Sequence, residues 1–88
     1  MKTSILVFLI ILCANILNAQ SFEETKKSAE QGVAKAQYGL GAMYYEGVGI
    51  LTDKSKAAFW IKKAYENSNG FIKQMAKEYW EENELWKY

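Results

Sequence analysis

Ala36 to Gly49 reads AQYGLGAMYYEGVG. Ala36, Leu40, Met43 and Tyr44 recur at i, i+4, i+7 and i+8, which is one face of an α-helix. Gly39 and Gly41 interrupt that helix. A glycine in a helix interior costs about 1 kcal/mol relative to alanine. Two of them so close together need a reason, and close approach of another backbone is one. Gly47 then ends the segment, because glycine tolerates the left-handed conformation that closes a helix.

Outward from this stretch the chain keeps the same period. Phe22 to Gln31 is charged and free of helix breakers, and Gly32 stops it. Val48 to Thr52 is a loop, with GVGIL too short and glycine-rich to be read as a strand. Asp53 is a suitable N-cap, since its carboxylate accepts from free backbone N–H groups. Ala57, Ala58, Ile61, Ala64 and Tyr65 form the apolar face of the next helix. Asn67 to Gly70 is a turn. Phe71, Met75 and Tyr79, with Trp80 beside them, form the face of the last helix, and ELWKY is a short aromatic end. No segment alternates with period two, so the expected fold class is all-α with about four helices.

The chain also repeats itself. Lys26-Lys27 and Glu30 return as Lys62-Lys63 and Glu66, an offset of 36. Leu40, Gly41, Tyr44 and Tyr45 return as Met75, Ala76, Tyr79 and Trp80, an offset of 35. A period of this length on helix pairs is the mark of a helical solenoid. Leu40-Gly41-x-x-Tyr44 resembles the first-helix signature of tetratricopeptide repeats, and Ala57-x-x-x-Ile61-x-x-Ala64 the second. Gly41 is then expected where the two helices cross, letting Ala57 and Ala64 seat against Leu40 and Tyr44. Gly39 has no such explanation beyond a neighbouring helix passing close.

The gap between Tyr44 and Ala57 is longer than in a tetratricopeptide, and with it the chain resembles the Sel1-like repeat family. Ala29, Gly32, Ala36, Gln37, Leu40, Gly41, Tyr44, Gly47, Gly49, Asp53, Lys56, Ala57, Trp60, Lys63 and Ala64 carry the resemblance. It implies an α/α helical-repeat fold with one full repeat, about residues 29–67, flanked by half-repeats. The C-terminal half-repeat, 68–88, is divergent, and Tyr65 stands where the family has a small residue.

The first nineteen residues are set apart by composition. Lys2 is followed by the apolar run Ile5 to Ala14, and Leu17-Asn18-Ala19 offers a cleavage point before Gln20. This is the layout of a secretory signal peptide, and the run is half the ~20 residues a spanning helix needs. Leu12 before Cys13 does not fit a lipidation signal. The expected domain is therefore 20–88, secreted or periplasmic, off the membrane after cleavage, and without cysteine.

Composition excludes several functions for that domain. It carries ten lysines and ten carboxylates, with no arginine and no histidine. Nucleic-acid binding wants a basic footprint, which a neutral chain lacks. The commonest general base is missing, and so are thiolate nucleophiles and zinc ligands. GVGILTDKS lacks the Gly-Lys-Ser/Thr ending of a phosphate-binding loop. Glu78, Glu81, Glu82 and Glu84 read as solvated surface rather than a metal cluster. No catalytic, cofactor or metal residue is expected. Hydrolysis of β-lactams, linked with some cysteine-rich multi-repeat relatives, does not carry over to a chain without those cysteines.

What remains is binding. Helical repeats present exposed helix faces to other proteins or peptides. Lys35, Tyr38 and Tyr45 on one helix, with Lys73, Lys77 and Trp80 on the last, are expected to form one concave aromatic face flanked by lysines. The expected partner is a protein or peptide, and a second copy of the chain is compatible with it. An alternative role is an inhibitor or immunity-type protein against an envelope-acting toxin.

Overall fold

The computed structural model describes residues 21–88, and the leader expected over 1–19, with its cleavage point, lies outside the described residues. Residues 21–30 are helical and form α1. Gly32, at φ 96°, turns the chain, and Val33 N–H donates to the Ser28 carbonyl. Helix α2 spans Ala34–Glu46. Gly47 closes it at φ 74°, and the amides of Gly47 and Val48 both donate to the Met43 carbonyl. A side chain at Gly47 would meet Thr52 Oγ1 at 2.6 Å, so this position needs glycine for space as well as for backbone angle. The loop returns through Asp53, whose amide donates to the Tyr44 carbonyl and whose carboxylate accepts from Lys56 N–H at 3.0 Å. That cap starts α3, Lys54–Glu66. Helix α4 spans Phe71–Glu82, and a 3-10 turn follows over Leu85–Lys87. No strand occurs among the described residues, and the all-α expectation holds.

Two apolar clusters hold these helices, and α3 belongs to both. Phe22, Ala29, Leu40, Tyr44 and Ala57 join α1, α2 and α3, with the Phe22 and Tyr44 rings edge to face at 5.5 Å. Ala58, Ile61, Ala64, Ala76 and Leu85 join α3, α4 and the terminal turn. Adjacent Ala57 and Ala58 face opposite neighbours because each residue turns the helix by about 100°.

Gly41 lies at the crossing of α2 and α3, as its spacing suggested. The side chain that uses the room is Ile61, not Ala57 or Ala64. A Cβ on Gly41 would sit 2.6 Å from Ile61 Cγ1 and 3.1 Å from the Ala57 carbonyl oxygen. The crossing thus depends on one branched side chain lying over bare backbone.

A polar tie crosses the first cluster. Gln37 is fully buried, donates to the Ala29 carbonyl at 3.1 Å and accepts from the Asn67 amide at 3.1 Å. One side chain thereby links α1, α2 and the end of α3, and a buried amide without such partners would be costly.

The apolar face of α4 differs from its expected one. Phe71 is 76% exposed, and the buried residue is Ala76. Helix α4 has to satisfy two neighbours at once: Ala76 seats on α3 while Tyr79 turns toward α2. A periodicity count favours the large apolar residues, but close packing against α3 favours the small one. Tyr65, expected inside, is 39% exposed for the same reason.

Candidate protein-binding surfaces

The six candidate residues do not share one face. Tyr38 and Tyr45, about two turns apart along α2, meet Tyr79 of α4, edge to face at 5.6 and 5.9 Å. Trp80, expected as their partner, is rotated by about 100° from Tyr79 and lies on the other side of α4, with Lys77. Lys35 is on a third surface, the shallow groove between α1 and α2, with Glu24, Thr25 and Ser28. The single concave patch flanked by lysines is therefore corrected to three separate surfaces.

The tyrosine face is acidic rather than basic. Glu46, Glu78 and Glu82 raise the pKa of Tyr38, after desolvation by burial, which is the larger cause. Burial and then the Glu46 carboxylate push the Tyr79 phenol well above its ordinary value. The Tyr79 hydroxyl is buried, and no hydrogen bond of good geometry reaches it, although Glu46 stands beside it. The cation nearest this face is Lys54, over the Tyr45 ring at 5.3 Å and the Tyr88 ring at 5.6 Å.

These shifts set a pH dependence. A phenol whose folded pKa is raised contributes stability below the unfolded value of about 10 and loses it as pH rises toward the folded value. The midpoint of urea unfolding is therefore expected to fall once the pH passes about 10. Tyr79→Phe is expected to flatten that fall and to cost nothing near neutrality, because the hydroxyl it removes is unpartnered. Urea melts at both pH values check it; an unchanged slope in the variant would contradict it.

The second surface is a groove on the outer side of α3 and α4. Ile61 and Ala76 lie beneath it, the rings of Tyr65 and Trp80 stand at its sides, and Lys62 and Lys77 rim a cavity of about 260 Å³. Lys73 adds a third ammonium, 4.4 Å above the centre of the Tyr65 ring. Ile61 is the core residue its spacing predicts, whereas Tyr65, predicted on the same face, stands at the side of the groove. Only the packing of α4 makes Tyr65 a groove residue, so no sequence signal marks it.

In the α1–α2 groove, Gly39 has room that Gly41 lacks. A Cβ there would meet only Thr25 Cγ2, at 3.7 Å, an ordinary contact. Gly39→Ala is expected to stabilise the domain by about 0.5–1 kcal/mol through helix propensity and lower unfolded-state entropy. A thermal melt should show the midpoint rising by several degrees, and a lowered midpoint would mean that α1 sits closer than this.

Among the described residues no group of three His, Cys, Asp or Glu is placed to hold a metal ion, and no helix is long and apolar enough to cross a membrane.

Comparison with known proteins agrees with this geometry. The Sel1 repeat family matches residues 34–69, which run from the start of α2 through α3 and into the turn before α4. A sel1-like repeat-containing protein, L18, of Acanthamoeba polyphaga mimivirus is 40% identical over 49 residues. That stretch is 56% of this chain but 8% of the viral protein. No solved structure matches the chain. The crossing glycine, the long glycine-bearing loop and the alanine-lined second helix all lie within that match, so residues 34–69 form a Sel1 repeat.

Proposed function

We propose that this protein is a small exported interaction module that binds another protein through the groove between α3 and α4. Sel1 repeats are commonly protein–protein interaction modules. The observation that carries the reading here is the groove itself: two aromatic side chains stand over a fully buried aliphatic floor and leave a cavity of about 260 Å³. Interfaces are dominated by a few aromatic anchors in such settings. The role is non-catalytic, in keeping with a sequence that has no histidine and a single cysteine, inside the leader. Export rests on the signal-peptide layout of the first nineteen residues.

The test combines processing with capture. Expressed from its full sequence in a bacterial host, the protein should be recovered outside the cytoplasm with an intact mass that starts at Gln20. Used as bait on an envelope fraction, it should capture a partner that Trp80→Ala binds about 2 kcal/mol more weakly, the usual hot-spot threshold. Circular dichroism must show that the variant keeps its helicity. Equal capture by a folded Trp80→Ala protein would remove the groove from the reading, and a full-length product held in the membrane would remove export.

A further inference from the structure

We infer that the α3–α4 groove is built for an acidic protein segment that inserts one apolar side chain between Tyr65 and Trp80. This rests on the interaction reading above and specifies its partner.

Three observations converge. The first is size. A cavity of about 260 Å³ accommodates a single large side chain rather than a row of them. Tyr65 and Trp80 supply its accessible apolar walls, above the buried Ile61 and Ala76, so an aromatic or branched aliphatic group fits it and a polar one does not.

The second is charge. Lys62 and Lys77 line the opening, Lys73 lies over the Tyr65 ring at its side, and no carboxylate lines it. Glu66 and Glu81, one turn beyond Lys62 and Lys77, form no ion pair with them; the ion pair found among the described residues is Lys87 with Glu84. Two lysines at the opening and a third beside it repel a basic segment and favour an acidic one, with effects on association rate and salt dependence. The tyrosine face on the other side of α4 has the opposite character, with Glu46, Glu78 and Glu82 around it. The neutral stretch 20–88 has thus placed its two signs of charge on two sides of α4.

The third is the register of the repeat. At the offset of 35, Ala76 corresponds to Gly41, the residue that α3 crosses through Ile61. Among the described residues Ala76 is not crossed by a helix in the same way, and the 3-10 turn brings Leu85 to that cluster. The groove is therefore the place that the second helix of a further repeat would cover. One repeat earlier, the counterpart of Tyr65 at the offset of 36 is Ala29, a small residue fully covered by its neighbours. With Tyr65 in that place a covering helix cannot approach as α3 does. The rings hold an incoming segment off the backbone and leave a slot for one side chain.

The experiment pans a random-peptide display library against the full protein and depletes it on the Lys62→Glu/Lys77→Glu variant. Both substitutions are at exposed positions, so the variant keeps the fold. Selected peptides are expected to be acidic, with one aromatic or aliphatic residue whose change to serine weakens binding by about tenfold or more. They should shift the NMR resonances of the Trp80 indole and Tyr65 ring, and bind the double variant about tenfold more weakly. Raising the salt from about 0.05 M to about 0.3 M should weaken them further, since exposed charges are screened over that range. Selection of basic or uncharged peptides, no enrichment, or shifts confined to Tyr38, Tyr45 and Tyr79 would overturn the assignment. So would self-association of the protein through the groove. If Trp80→Ala abolishes capture of the natural partner while acidic peptides show no preference, the partner chemistry is wrong and the interaction reading stands. If acidic peptides bind as described but capture is unaffected by Trp80→Ala, the site stands and the interaction reading fails.

Discussion

Gly41→Leu is expected to leave the domain unfolded at room temperature. Even a Cβ at this position would lie 2.6 and 2.7 Å from two carbons of Ile61, and 3.1 Å from a backbone oxygen of α3. The Ile61 side chain is fully buried in the cluster that joins α3 to α4, so displacing it toward the groove gives up that packing. The Ala57 carbonyl moves only if α3 moves. Overpacking of this kind costs about 1–3 kcal/mol for modest insertions, and leucine adds three further carbons to the same point. A single core of this size supplies about 3–5 kcal/mol in total. Gly41→Ala should also destabilise, by about 1–2 kcal/mol after the helix-propensity gain of about 1 kcal/mol is set against the clash. A double-mutant cycle separates the clash from other effects. Ile61→Ala alone should cost about 2–5 kcal/mol. In the Gly41→Ala background it should cost less, with a coupling of about 0.5–3 kcal/mol. Strictly additive effects in urea melts, or an unchanged midpoint for Gly41→Leu, would show that the helices do not cross at this residue.

The second large effect is at the other end of the chain. Leu85→Ala should cost about 2–5 kcal/mol, as for other fully buried leucines. Leu85 belongs to the 3-10 turn after α4, yet it is as buried as Leu40 and packs in one cluster with Ala58, Ile61 and Ala76. It closes the end of the α3–α4 pair. Its neighbours in the tail do not share that role. Trp86 is 58% exposed, so Trp86→Ala should change stability by no more than about 0.5 kcal/mol, in line with surface substitutions generally. Truncation after Asn83 should behave as Leu85→Ala does. If the truncated chain melts like the parent, the turn is an appendage and the second cluster is stable without it.

These two positions also mark how far the sequence can be read. Gly41 was legible because its signal is local: an apolar helical period, a leucine before it, a tyrosine three residues on. The same is true of Gly47, Asp53 and the alanine stripe of α3, whose roles follow from backbone angles, capping and spacing within one helix. The helical class, the helix ends and the crossing were therefore determined by the sequence itself. The identity of the residue over Gly41 was not, since Ala57, Ile61 and Ala64 lie on one stripe and only the seating of α3 selects Ile61. Leu85 carried no signal either, because one leucine among aromatic residues does not show which of them turns inward.

The candidate surface followed the same division. That Tyr38 and Tyr45 share a helical face is a matter of a seven-residue spacing, and the structure keeps them together on Tyr79. Whether Tyr79 or Trp80 completes that face depends on the rotation of α4 about its own axis. Successive residues differ by about 100° there, and both are aromatic, so hydrophobicity cannot choose between them. The choice is made by Ala76, whose small side chain lets α4 settle on Ile61 and Ala64, turning Tyr79 toward α2 and Trp80 toward the outer groove. Local physics thus determined which segments are helices and where they can touch. The rotation of each helix, and with it the separation of an acidic tyrosine face from a lysine-rimmed groove, was decided only when three helices had to pack on one another at once.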